Sequence, residues 1–398
     1  MVIFRAFMVL MGTLFMLSHV VNAKLAPQPY MTESGLALVP MLGLGYKYDD
    51  NITLAEKDSS SSNILVLDAA LKVLAERDLA SYELGYKISA AEYFESHVDD
   101  YLDHQLAAKA ELELALRHRL KLAYRFAHQH EQRGRGLSQG LGSDIQELIY
   151  FQSNKLQSVY SYGAPQAYGR VDLQLSWETK QYQNLESLTQ YRNWRQLSYG
   201  ATFFYRVSNA TELLLEAKQL ARRYRLNASD QASRNNDDSF IYAGAEWDIS
   251  GKSSGSARIG YEDKGYQSAQ REHFSGLSWL LSFNYLPVEY SQFNVFTSKI
   301  AKDPDQLGNY IDETIYQTSW QHYWLDRLST ELSYRDTDLA YTGVDRDEQI
   351  TLAKVAIEYE LRRWLKLNVS YQREDKSSSV AGLSYQQNVM FIHFSGTL

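Results

Sequence analysis

The sequence predicts an all-β chain folded as a transmembrane, antiparallel, up-and-down outer-membrane β-barrel of about eighteen strands. Three observations carry that expectation: a leader-like start, alternation of apolar and polar residues along most of the remaining chain, and connections that switch between tight and long. Composition agrees. Tyrosine occurs 30 times in 398 residues, aromatics reach 13%, and proline occurs only 6 times, a balance that suits pleated strands and interfacial aromatic belts.

The first element is a secretory leader over residues 1–23. Arg5 supplies the positive start, residues 6–17 an apolar core, and Val21-Asn22-Ala23 small residues for cleavage. The mature chain is expected to begin near Lys24, with residues 24–34 a short periplasmic segment and 35–398 the barrel. The expected location is the bacterial outer membrane, with both chain ends periplasmic. No long apolar run follows the leader, which leaves a barrel open because barrel strands alternate and escape a search for spanning helices.

Alternation is clearest where Val171, Leu173, Leu175 and Trp177 fall on one face and Arg170, Asp172, Gln174, Ser176 and Glu178 on the other. A helix would mix these sets, so period two means a strand greasy on one side and wetted on the other. The same reading holds for Tyr82, Leu84, Tyr86 and Ile88, for Ala257, Ile259 and Tyr261, for Leu277 through Tyr285, and for Leu365 through Tyr371. Collected in order, such segments lie near 36–48, 63–75, 79–92, 102–115, 117–127, 154–162, 168–182, 192–206 and 210–225. They continue near 239–250, 254–266, 275–286, 289–299, 314–323, 327–336, 348–361, 363–373 and 384–397.

Connections near Glu76, Arg117, Gly163, Ser208, Gly251, Pro287, Asp326 and Arg362 are tight, whereas those between them are longer and polar. Short turns on one rim and long loops on the other are expected of an outer-membrane barrel. A soluble β-sandwich also alternates, but it gives aromatics no reason to gather at the ends of apolar stripes. Tyr46, Tyr48, Tyr182, Tyr199, Tyr205, Trp320, Tyr323, Trp324, Tyr359 and Trp364 gather there, as membrane interfaces require.

Sixteen to eighteen strands enclose a lumen that side chains need not fill. The predicted lumen face carries Lys121, Arg125, Asp172, Glu178, Glu216, Lys218, Arg258, Glu262, Arg335, Lys354, Glu358 and Lys366, both signs interspersed. Such a wall would offer exchangeable hydrogen bonds to a polar solute. Equally, the charges would satisfy one another across the wall. The longest loop, Phe126 to Ser153, holds Gly134, Gly136, Gly140, Gly142, Arg133 and Arg135, and is expected to be a mobile external loop rather than an inward constriction. Arg222, Arg223 and Arg225 lie where a strand meets the outer rim, with lipopolysaccharide phosphates the expected partner and an acidic glycan in transit the alternative.

Chemistry is sparse. The chain has no Gly-x-Ser-x-Gly elbow, His-Glu-x-x-His run or phosphate loop, and no cysteine. His128 and His130 share a strand face, a geometry that binds metals, but no third ligand is evident. Asp49-Asp50, Asp99-Asp100 and Asp237-Asp238 read as solvated turn residues of outer loops. Neither a catalytic role nor a cofactor is expected, and a net charge of −8 argues against nucleic acid as a partner.

The run from Val39 to Ile52, with Tyr48-Asp49-Asp50-Asn51 at its end, resembles the opening of the putative β-barrel porin 2 family. Ala257 to Tyr266 and Leu332 to Asp336 are similar to that family's recurring strands, and the resemblance covers the mature chain. It implies a pore associated with capsule or exopolysaccharide assembly. On that resemblance the expected function is to pass a secreted polysaccharide across the outer membrane, alongside periplasmic export components. The alternative is a general or substrate-specific diffusion porin for small polar solutes; a third reading is an adhesive barrel with partner-binding loops. One departure is the last residue: barrels usually end on an aromatic, whereas this chain ends Phe394-Ser395-Gly396-Thr397-Leu398.

Overall fold

The computed structural model describes residues 29–228, 231–249 and 251–397. The expected leader, with Arg5 and its cleavage site, and the terminal Leu398 lie outside the described residues. A short strand β1 (Tyr30–Met31) precedes β2 (Ala37–Asp49), β3 (Ser62–Arg77), β4 (Ala80–Tyr93), β5 (Tyr101–Ala115), β6 (His118–Glu131) and β7 (Ile149–Tyr162). Then come β8 (Gly169–Tyr182), β9 (Trp194–Ser208), β10 (Thr211–Tyr224), β11 (Asn236–Ile249), β12 (Ser253–Tyr266) and β13 (Phe274–Val288). The series ends with β14 (Ser291–Lys302), β15 (Ile311–Leu325), β16 (Leu328–Tyr341), β17 (Asp347–Arg362), β18 (Leu365–Ser378) and β19 (Tyr385–Thr397).

From β2 to β19 each strand pairs antiparallel with the next, and β19 returns to β2, from Val389 opposite Asp49 to Thr397 opposite Met41. The result is a closed ring of eighteen strands, with β1 appended to the start of β2. Closure removes free sheet edges and pairs the backbone within the wall, which a hydrocarbon environment demands. No helix among the described residues is long and apolar enough to cross a membrane.

Each segment read from the alternation corresponds to one strand. The differences are extensions at one rim: β7 begins at Ile149, and β16 and β18 run on to Tyr341 and Ser378. The β18 extension, Glu374 to Ser378, is polar on both faces. In the β7 and β16 extensions apolar side chains such as Ile149 and Leu339 are buried rather than on the outer face, so the outward periodicity fades while backbone pairing continues. Several connections on the opposite rim are two residues long, among them Asp78–Leu79, Leu116–Arg117 and Tyr290's turn after Val288. The β7–β8 connection, residues 163–168, is longer than expected. Register shifts near Glu113, Thr211, Tyr285, Tyr323 and Glu360 all fall beside this turn rim, where bulges absorb the twist of a closing strand pair.

The faces separate cleanly. Leu173, Leu175 and Trp177 are exposed on the outer wall, as are Ile259, Tyr261, Leu277, Val369, Ile392 and Phe394. Of the aromatics read as girdle, Tyr46, Tyr48, Tyr199, Tyr205, Trp324, Tyr359 and Trp364 are exposed at strand ends. Tyr182 is not part of it. It shares parity with Asp172 and Glu178 and donates its hydroxyl to Glu131 at 2.8 Å inside the ring.

The ring closes at a seam of small residues. Gly43 and Gly45 of β2 lie beneath the stacked rings of Phe391 and His393, and a Cβ at either glycine would come within 2.5 Å of a ring atom. The four residues of the family-like stretch finish the seam. Tyr48 faces outward; Asp49 accepts from Gln387, Asp50 accepts from Asn388, and Asn51 donates to the carbonyl oxygen of Gln386. The reading of Asp49-Asp50 as solvated turn residues is therefore corrected: both carboxylates tie the first strand of the ring to the last.

One ladder stops early. The β13–β14 pairing ends at Trp279 opposite Lys299, although β12 still pairs with Phe274 and β15 with Lys302. Beyond that point β14 leans into the ring. Glu262 of β12, wholly buried, accepts the amide of Ala301 at 3.1 Å, and Ser278 donates to the carbonyl oxygen of Lys299 at 2.7 Å. These side chains supply hydrogen bonds at the point where the strand pairing ends.

Candidate functional site

The lean of β14 places the following connection, residues 303–310, inside the mouth on the long-loop rim. Asp303 is its anchor. It accepts from Arg222 at 2.8 Å, Tyr224 at 3.1 Å, Asn236 at 2.9 Å and Tyr266 at 3.1 Å, and pairs with Lys264 at 3.0 Å. Burial works to raise the Asp303 carboxyl, but the Lys264 ammonium and Arg222 guanidinium overcome it and hold the group well below the usual carboxylate range. Arg222 therefore turns inward, which corrects its assignment to a lipopolysaccharide-facing cluster. Arg223, one residue on and of opposite parity, pairs outward with Asp237 at 2.6 Å.

The connection between β6 and β7, residues 132–148, enters from the other side. Arg133, buried, pairs with Asp99 and donates to the carbonyl oxygens of Gly142 and Ile145 at 3.3 and 3.1 Å. Arg135 reaches Glu374 on β18 at 2.7 Å. Gly134 (φ +81°) and Gly142 pass so close to the Thr53 carbonyl oxygen that a Cβ would meet it at 2.2 and 2.1 Å. Gln306 then donates to the carbonyl oxygens of Leu137 and Gln139 at 3.2 and 2.9 Å. The β14–β15 connection lies eight strands round the ring of eighteen from β6–β7, so the two loops meet across the mouth. The expectation of a mobile external loop is overturned. Arginine anchors and glycine close approaches fold the segment inward.

Asp99-Asp100 and Asp237-Asp238 are likewise not solvated turns. Asp99 holds Arg133, Asp100 accepts the Tyr93 amide at 2.6 Å, and Asp238 pairs with Lys264 at 2.8 Å.

Three arginines from consecutive long loops grip the 303–310 segment through its backbone. Arg192 donates to the Gln306 carbonyl oxygen at 3.2 Å, Arg234 to that of Gln306 and to Pro304 at 2.7 Å, and Arg271 to Gly308 at 2.9 Å. Burial, then repulsion from Arg234, pulls the Arg192 guanidinium down to about 10, and the same causes lower Arg271. Asp305 projects into the enclosed space, reached by solvent but ringed by wall; burial, then Glu131, holds its carboxyl above the ordinary range.

Below the mouth, the residues read as lumen candidates stand on the inner wall, many paired along it. Lys121 meets Glu111 at 3.4 Å, Glu178 meets Lys155 at 2.9 Å, and Asp172 meets Arg170 at 3.2 Å. Arg258 bridges Glu216 at 3.1 Å and Glu246 at 2.7 Å, while Lys366 bridges Glu358 and Glu360 at 3.0 and 3.4 Å. Arg335 donates to Gln317, Lys218 lies 5.7 Å from the Phe240 ring, Arg125 sits opposite Lys155 and Lys354 opposite Gln372. Glu262 serves the β14 lean described above. His128 stacks on Tyr150 and His130 on Tyr101; among the described residues no cluster of three His, Asp or Glu could hold a metal.

Sequence reasoning missed Arg192, Arg234, Arg271, Asp303 and Gln306. The available signal was one arginine in, or at the edge of, each of three successive long connections, facing an Asp-Pro-Asp stretch in a fourth.

A closed ring of this size, greasy outside and charged within, with a loop-narrowed mouth, defines a porin-like β-barrel of the bacterial outer membrane. The chain belongs to the family described as "Putative beta-barrel porin 2", whose model matches residues 35–396. No curated protein matches it in sequence. Among solved structures, it is similar to the outer membrane protein OpdK of Pseudomonas aeruginosa, with 13% identity, 91% of this chain and 99% of that chain covered, and a TM-score of 0.50. OpdO of the same organism gives 13% identity, 92% and 98% coverage and a TM-score of 0.50. The FrpB iron transporter of Neisseria meningitidis gives 11% identity, 85% and 62% coverage and a TM-score of 0.50. At such identities the likeness speaks to the fold.

Proposed function

We propose that this protein is a diffusion porin for small polar solutes, a transport role without catalysis. The observation that carries this is the meeting of the 132–148 and 303–310 loops through Gln306, which divides the mouth into passages narrower than the ring itself. Loops bridged across the mouth obstruct an extended polymer more than a small solute. The family resemblance had put polysaccharide export first, and the loop arrangement favours the small-solute alternative.

In this reading the long-loop rim faces outward and both chain ends the periplasm. Outward ion pairs near that rim, Arg223 with Asp237 and Arg373 with Asp375, are suited to lipopolysaccharide phosphates. Proteoliposome swelling tests the proposal, paired with surface glycan in a deletion strain. Swelling that depends on solute size, with glycan unchanged, supports a diffusion porin. Loss of surface glycan on deletion, with no small-solute flux in liposomes, supports a polysaccharide conduit instead.

A further inference from the structure

Arg192, Arg234 and Arg271 present an imbalance that the anchoring of a loop does not require. Their hydrogen bonds go to neutral carbonyl oxygens: Gln306 for Arg192, Pro304 and Gln306 for Arg234, Ala232 and Gly308 for Arg271. None of the three forms an ion pair with a carboxylate among the described residues. Two of the guanidiniums share one oxygen, that of Gln306. Nη1 of Arg192 is buried with no hydrogen-bond partner, a state that costs free energy unless something arrives to accept from it.

Two nearby carboxylates are occupied elsewhere. Asp303 is held by Arg222 and Lys264, and Glu131 by Lys180 at 2.7 Å. Asp305 lies close enough to Arg192 for each to feel the other's charge, but the two form no ion pair among the described residues, and burial, then Glu131, holds the Asp305 carboxyl above its ordinary range.

We infer that Arg192, Arg234 and Arg271 form a binding site at the mouth for the anionic group, carboxylate or phosphate, of a small solute in transit. This rests on the diffusion-porin reading and names its substrate class. A guanidinium holds an anion more tightly than a neutral carbonyl, because attraction between opposite charges and a bidentate fit add to the hydrogen bonds. An arriving anion therefore competes for the donors that hold Pro304, Gln306 and Gly308, and its binding loosens the 303–310 segment. The inner wall carries paired charges of both signs, so the mouth sets the sign of selectivity.

The test is single-channel recording of the full chain in phosphatidylcholine bilayers free of lipopolysaccharide, in a potassium chloride gradient, with inorganic phosphate and acetate added on the long-loop side. The wild type is expected to favour chloride over potassium and to show phosphate-dependent interruptions of current. Arg192→Gln should weaken that phosphate block about tenfold and lower the preference for chloride as well. Arg192→Lys retains charge without the planar fork and should keep chloride preference but lose most of the block, a split that a merely structural arginine would not produce. Conductance that is cation-selective and indifferent to both anions overturns the anion site while leaving a working porin. A block that appears only when lipopolysaccharide is present also overturns it, because the phosphate recognised would then belong to the lipid. Absence of conductance altogether fails the porin reading itself.

Discussion

Gln387 donates its side-chain amide to both carboxylate oxygens of Asp49, at 3.0 and 2.8 Å, across 338 positions of sequence. Both groups are buried, and they join β19 to β2 just where the backbone ladder between these strands runs out. Asp49→Ala should therefore lower the thermal unfolding temperature of the barrel in detergent. The Gln387 amide would keep only its 3.3 Å bond to the Asn51 carbonyl oxygen, and a buried donor short of its partners costs up to about 1–3 kcal/mol. A melting curve equal to wild type would show that the seam is held by its backbone alone.

Arg258 and Lys366 both face the lumen, but their surroundings predict different consequences of charge reversal. Arg258 is buried between Glu216 and Glu246, so Arg258→Glu gathers three carboxylates and should impair folding, with breakage of a buried pair costing about 3–5 kcal/mol. Lys366 is more open, and Lys366→Glu should fold and shift the reversal potential toward cations. Heat-modifiable gel mobility separates the first outcome from the second, which is read in a planar bilayer.

The chain has no cysteine, so introduced thiols are unambiguous. Gln306→Cys with Gln139→Cys, joined by a short bifunctional thiol reagent, should fasten the two loops where they already touch. Small-solute swelling should persist at a reduced rate, and passage of longer solutes should cease. Complete loss of swelling would mean that the loops must part for every solute.

Acid should leave the 303–310 anchor intact over a wide range. The Asp303 carboxyl is depressed in the folded protein, so its contribution is complete above the ordinary carboxylate range and is lost only as pH falls through the lower folded value. The Asp303 anchorage should not change between about pH 7 and pH 5, whereas Asp305, whose carboxyl is raised, takes up its proton first and so makes the mouth less negative. Asp303→Asn, by contrast, strands Arg222 and Lys264 and should raise conductance fluctuations at neutral pH. A wild-type channel that opens on mild acidification would contradict the anchor.

What was legible in the sequence followed from what a membrane imposes on every strand. Leu173, Leu175 and Trp177 must alternate with Asp172, Gln174 and Ser176, so strand existence, parity and connectivity could be read locally. The mouth depends on contacts that periodicity does not encode. Asp303 finds Arg222, Asn236 and Lys264 on three other strands, and Gln306 finds a loop about 170 positions earlier. The glycines of the 132–148 loop looked like flexibility, whereas Gly134 and Gly142 are small because another backbone passes beside them. Tyr182 shows the same limit on a smaller scale, since its position at a strand end suggested the interface and its parity, the better guide, put it inside.

The early end of the β13–β14 ladder separates two mechanical tasks that a fully zipped wall would confound. With Ile300 to Lys302 already released from β13, the segment beyond them can swing without unzipping that ladder further. Its travel trades the side-chain bonds that hold it, the buried Asp303 ion pairs foremost, while the staves below the Trp279–Lys299 pair remain hooped. The barrel thus carries its own hinge pin above an undisturbed cask, and the door and the container can be tuned by separate mutations.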